Sequence, residues 1–433
     1  MSKTIKIFIV IIILLGLGAL GYYFFSNKTV TNPDGTTDSL YQTFNPFGSS
    51  TDVNNGNQTE GETTGNTETE LNSANSNLKQ ITTFAIAGAT FFEDQREIPE
   101  PEKEVTVLDT FKTTEKVVTT KKVTPLKVEK KYETVPTLRY VERATGHIYQ
   151  IYLDKNSISK VSNTTIPSIY EALFDNKASS VIYRYLSGDK TITSFKATLG
   201  GASGEFLPED IINIDTSNDK TKLFYLVKTQ NGVTGFIKSF TEAKNTQVFT
   251  SSFSEWLSQF ISDKKIYLTT KPSWSISGSL YSLNTATGSI SKLFGGIAGL
   301  TTLANNDGST VLFGASESSG PKLGSFNVTD RTSSLINLYG LPEKCVWSSD
   351  NINIYCGIPK TIIGTEYPDS WYQGLVSFDD YFVKINTKTG GTSTIENGND
   401  ASPVDATNLF LNKDEDTLFF TNKKDSTLWS LKI

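Results

Sequence analysis

The sequence has 433 residues, 37% hydrophobic and 11% aromatic, with a formal net charge of −6 and a pI of about 5.2. No strongly basic domain is present, which excludes nucleic acid as an expected partner. The single histidine, His147, excludes a His-rich metal centre and leaves a His-based triad one candidate; no metal and no cofactor is expected.

The chain opens MSKTIKIFIVIIILLGLGALGYYFF. Residues 7–25 carry no charge and are mostly Ile, Leu, Val and Phe. At about 1.5 Å per residue such a run spans a bilayer core of about 30 Å. Lys3 and Lys6 precede it, which predicts an N-terminus in the cytoplasm, and Tyr22 and Tyr23 sit where an interfacial aromatic belt belongs. Residues 1–25 therefore read as a transmembrane signal anchor. A cleaved signal peptide is the alternative, although the apolar run is long and lacks a good small-x-small site. Either reading exports the rest, and the anchor gives a single-pass protein of the cytoplasmic membrane with its C-terminal domain outside the cytoplasm.

Residues 26–77 are rich in Asn, Thr, Gly and Ser, with seven acidic residues against Lys28 alone. So little apolar surface cannot offset the entropy of ordering, which predicts a disordered acidic linker.

From residue 78 to 433 the chain repeats with a period of about forty to fifty residues. Second strands of the unit read VIYRYL (181–186), KLFYLV (222–227), KIYLTT (265–270), TVLFGA (310–315), INIYCG (352–357) and TLFFTN (417–422). Third strands read HIYQIYL (147–153), SLYSLN (279–284), LGSFNV (323–328), YFVKIN (381–386) and TLWSLKI (427–433). Four short antiparallel strands per unit, without intervening helices, predict an all-β seven-bladed propeller. Six blades would follow if the third or fourth unit were irregular. The last unit lacks a fourth strand, and LKQIT (78–82) lacks a blade, so the N-terminal strand is predicted to close the ring. Residues 93–135 interrupt the first unit, between FAIAGATFF (84–92) and LRYVER (138–143). They read as a solvated loop, a projecting hairpin or a partner-binding arm.

The only two cysteines are Cys345 and Cys356. If Asp350-Asn351 turns a tight hairpin, residues whose numbers sum to 701 oppose each other, and the two cysteines become cross-strand neighbours within disulfide reach. A disulfide agrees with export.

These repeats resemble those of TolB-like, WD-type bacterial β-propellers over residues 78–433, in the form of a membrane-anchored envelope protein. The resemblance implies a rigid binding platform in the periplasm or at the cell surface, and the fold itself fixes no role.

No catalytic set stands out. A G-x-S-x-G elbow with its α/β domain is missing, and Arg139, Arg143 and Arg184 are the only arginines near blade starts. NNDGST (305–310) is explained as a hairpin turn, and His147 as a packed imidazole. The sixth unit has a long loop, PKTIIGTEYPDSWYQGLVSFDD (359–380), between its second and third strands. Tyr367, Trp371 and Tyr372 are candidate exposed aromatics there, beside Asp369, Asp379 and Asp380, with Trp274 of the fourth unit on the same face. Aromatics beside carboxylates suit sugar rings or peptide side chains; a loop packing its rings over the adjacent blade is the alternative. The expected function is a non-catalytic, membrane-tethered platform for an envelope protein or polysaccharide. A glycan- or peptide-processing enzyme on the propeller face is the alternative.

Overall fold

The computed structural model describes residues 29–31, 37–39, 77–98, 130–188, 191–201 and 204–433. It forms two units, Met1–Asn72 and Ser73–Ile433. In the first, strands Thr29–Thr31 and Thr37–Ser39 pair antiparallel, within the stretch expected to be linker. The expected anchor, residues 1–25, lies outside the described residues. Among the described residues no helix is long and apolar enough to cross a membrane.

The second unit contains seven four-stranded antiparallel sheets, each hydrogen-bonded in sequence order apart from the closing strand. Blade one is Ile86–Glu97, Tyr132–Glu142, Ile148–Tyr152 and Ser157–Ser162; blade two is Ile169–Phe174, Ser180–Leu186, Ile192–Thr198 and Gly204–Phe206. Blades three and four run Ile211–Thr216 to Asn245–Ser251 and Trp256–Ser262 to Ile290–Ala298, each with four strands, so the count is seven rather than six. Blade five begins at Thr301–Ala304 and blade six at Cys345–Trp347. Blade seven takes three strands from Ala406–Lys432 and its fourth from Leu78–Gln80, with Leu78 opposite Leu431. Thr82 extends this closure: its hydroxyl accepts the Leu428 N–H at 2.9 Å.

The second strands are buried on both faces because each sheet is sandwiched between its neighbours. Leu223, Phe224, Tyr225 and Leu226 are all inaccessible, and such a strand reads as a continuous apolar run. Each large side chain so buried contributes about 1.5–3 kcal/mol.

Two boundaries differ from expectation. In blade one the first and second strands continue in register to Glu97 opposite Tyr132, so the interruption is shorter than residues 93–135. Its base is a β-ribbon, tied where Arg96 reaches Glu133 and Asp154; residues 99–129 lie outside the described residues. In blade six the hairpin loop spans residues 349–352, not two residues. It is closed by Ser348 N–H to Asn353 O at 2.9 Å, while Asp350 Oδ1 accepts the N–H groups of Ile352 and Asn353. The longer loop has the same midpoint, so Cys345 still opposes Cys356. Their Cα atoms are 4.1 Å apart and the sulfurs are joined.

This topology gives the ring two faces. Turns between first and second strands lie on one, here called the floor. Connections between second and third strands, and from blade to blade, lie on the other.

Candidate functional site

On the face opposite the floor, blade six carries the long connection between Asn353–Pro359 and Asp380–Asn386. It forms a strap with one helical turn, Asp369–Tyr372. The strap reaches beyond its own blade. Asp369 Oδ2 accepts the Trp274 N–H of blade four at 2.6 Å, and Lys423 Nζ of blade seven donates to Trp371 O at 2.8 Å. Gly299, at φ +62°, is where the strap crosses between blades four and five; a Cβ there would meet Tyr367 O at 2.6 Å.

Beneath the strap lies Lys344, on the short 3₁₀ turn that leads into Cys345. Its ammonium is fully buried between Asp380 at 2.7 Å and Asp405 at 2.5 Å, both also fully buried. It donates to Ala406 O as well. Trp371 Nε1 and Phe378 N–H donate to Asp405, and the Ala406 N–H donates to Asp380. The Trp371 and Phe378 rings lie over the ammonium, at 5.5 and 5.3 Å. One cation faces two carboxylates, and Asp380 Oδ1 has no partner. Burial pushes the Asp380 carboxyl up to about 6 despite the lysine.

This arrangement corrects part of the sequence expectation. Tyr367 is 0% exposed and Trp371 3%, because their rings roof the buried charges together with Phe378. Asp380 is under the strap and not on it, and Asp379 is held by Lys360. Trp274 and Tyr372 do remain open, at 41% and 40%. Tyr372 is fixed by donating its hydroxyl to Glu343, whose carboxyl burial pushes above its ordinary value.

Three aliphatic residues on the same loops were not read from the sequence. Ile276, beside Trp274, and Ile363 and Leu375, on the strap, are all exposed, Leu375 at 74%. Isolated apolar residues in a polar loop carry little signal; their common face exists only once the loops are folded.

The other sequence candidates are occupied by local structure. His147 sits one residue before its strand, with Nε2 at 3.1 Å from Thr165 Oγ1. Asn305–Thr310 is the turn of blade five, with Gly308 at φ +69°. Arg139 donates to Ala178 O, Arg184 pairs with Glu171, and Arg143 reaches Ser426, so the three arginines form no cluster.

No family model and no curated protein matches the chain. Solved structures do. TolB from Acinetobacter baumannii aligns at 13% identity and a TM-score of 0.39, over 59% of this chain and 61% of that one. The tricorn protease aligns at 11% and 0.37, over 69% and 37%. An oligogalacturonate lyase from Vibrio parahaemolyticus aligns at 8% and 0.45, over 81% and 99%. The chain thus spans about three fifths of the TolB structure and little more than a third of the protease. At these identities the likeness concerns the fold alone, and the strand pairing of the chain itself establishes that fold as an all-β, seven-bladed propeller.

Proposed function

We propose that the chain is a binding platform outside the cytoplasm, tethered through residues 1–25, that takes a protein partner of the cell envelope on its strap face. The observation that carries this reading is the common exposure of Trp274, Ile276, Ile363, Tyr372 and Leu375 on loops pinned by buried charges. Rigid aromatics with exposed aliphatics supply contact area at low ordering cost. The three aliphatics favour a protein over a polysaccharide, since a sugar stacks on a ring but gains little from Ile or Leu. The anchor rests on the apolar run and its lysines, and export also agrees with the Cys345–Cys356 pair.

A photo-crosslinking residue at position 375 tests the platform. The expected result is one discrete adduct in intact envelopes, lost when Trp274→Ala and Ile276→Ser are added. The same labelling from a floor position such as Lys155 refutes the reading.

The enzyme alternative has one observation in its favour. Burial pushes the Asp215 carboxyl, inside the ring, up to about 6, the range of a general acid. Turnover of a glycan or peptide that disappears in Asp215→Asn is the result that would establish it.

A further inference from the structure

Five first-to-second-strand turns share one geometry. In blades two, three, five, six and seven the fourth residue of the turn donates its N–H to the carbonyl of the first. That fourth residue has positive φ each time: Ala178 50°, Lys220 53°, Gly308 69°, Asn351 58° and Glu415 53°. Two of these side chains staple the floor. Asn351 Oδ1 accepts the Asn306 N–H of blade five at 2.9 Å, and the Glu415 carboxylate accepts from Ser348 and Ser349 of blade six.

Lys220 departs from the pattern. A lysine at this conformation carries a backbone cost of about 1 kcal/mol that glycine avoids. Its ammonium reaches from blade three to the Thr90 hydroxyl on the first strand of blade one, at 2.7 Å. The fully buried lysines have carboxylates: Lys344 has two, and Lys238 has Glu205 at 2.9 Å, whereas Lys220 is half-buried. Among the described residues Lys220 has no ion pair, and burial holds its pKa below the ordinary lysine value. A lysine ammonium has three protons to donate, and Thr90 takes one. Thr90 is itself 2% exposed, and its own proton has only the Phe91 carbonyl at 3.4 Å.

Lys220 lines a cavity of about 310 Å³ with Asp215, Ser258, Gln259 and Phe260. Their polar groups are engaged within the protein. Gln259 bonds Thr302 and Ala304, and Ser258 donates to Asn213. Asp215 is bound to the Phe260 N–H at 2.7 Å and the Thr216 N–H at 2.8 Å. Lys220 is half-buried, its ammonium keeps two protons beyond the one given to Thr90, and a partly desolvated cation without a counter-charge is costly.

We propose that Lys220 and Thr90 form an oxyanion site inside the ring, which takes a carboxylate or phosphate-type group of a small ligand. The test is thermal unfolding of the full chain in sodium acetate, phosphate or sulfate, each against sodium chloride of equal ionic strength. The wild type gains a saturable rise of a few degrees with at least one oxyanion. A response to acetate identifies a carboxylate site, and a response confined to phosphate or sulfate identifies the phosphate type. General salting-out acts on every variant alike. The oxyanion-dependent rise disappears in Lys220→Met whatever its basal stability, persists in Lys220→Arg and shrinks in Thr90→Val. Equal rises in wild type and Lys220→Met overturn the site, as does an undiminished rise in Thr90→Val. So does a wild type that responds to none of the three at about 50 mM.

Discussion

The strap and the floor cover opposite faces of one ring. The floor is built from a turn used five times, whose members are joined by backbone groups and short polar side chains. The strap occurs once and is held by three buried charges drawn from three separate segments. Repetition makes the floor a sum of small terms. The strap concentrates its stability in one lysine, so the two faces should fail differently.

The largest expected effect is Lys344→Met. Removing the cation leaves Asp380 and Asp405 buried without it, at a cost of about 3–5 kcal/mol. Urea unfolding should show that loss, and protease should cut the strap first. Adding Asp380→Asn and Asp405→Asn to the same variant should recover part of it. A single variant as stable as the wild type would show that the charges do not pin the strap.

The comparison sharpens with pH. The folded Asp380 carboxyl titrates near 6 and the unfolded one near 3.8, so the folded state takes up the proton first. Its contribution to stability therefore rises as the pH falls through 6 and is complete below about 4. Asp215 titrates near 6 and acts in the same sense. Asp416, held near 2 by Lys432, stays ionised across that window. The melting temperature should climb between pH 8 and 5, and Asp380→Asn should flatten a substantial share of the climb. A slope unchanged in that variant would move the proton to another group.

The smallest effect belongs to the floor. Asn351→Gly keeps the positive φ and removes the acceptor for the Asn306 N–H, at about 0.5–1.5 kcal/mol. A loss as large as that of Lys344→Met would mean the floor is not the sum of small terms described here.

The same contrast explains what was legible in the sequence. Strands repeated seven times reveal themselves by recurrence, and the pairing of Cys345 with Cys356 needed only the midpoint of their hairpin. That reasoning survived an error in loop length because a wider loop about the same centre leaves the register alone. The strap offered no such symmetry. Its aromatics were visible as residues, but nothing periodic tells Trp371, turned inward onto Asp405, from its neighbour Tyr372, turned outward. Lys344, Asp380 and Asp405 come together only through the packing of blades six and seven. In sequence they are a lysine before a cysteine, an aspartate read as part of the exposed loop, and an aspartate with nothing to mark it.

The closing strand has a consequence in time. Leu78–Gln80 leaves the ribosome well before its partner, Thr427–Lys432, exists. Six blades can form as the chain elongates, each from contiguous strands, while blade seven waits for both ends of the domain. Until then the first strand of the ring has no mate and the nascent ring keeps an open edge. A product truncated before Thr427 never completes the circle, and it presents that edge to proteases and to other chains.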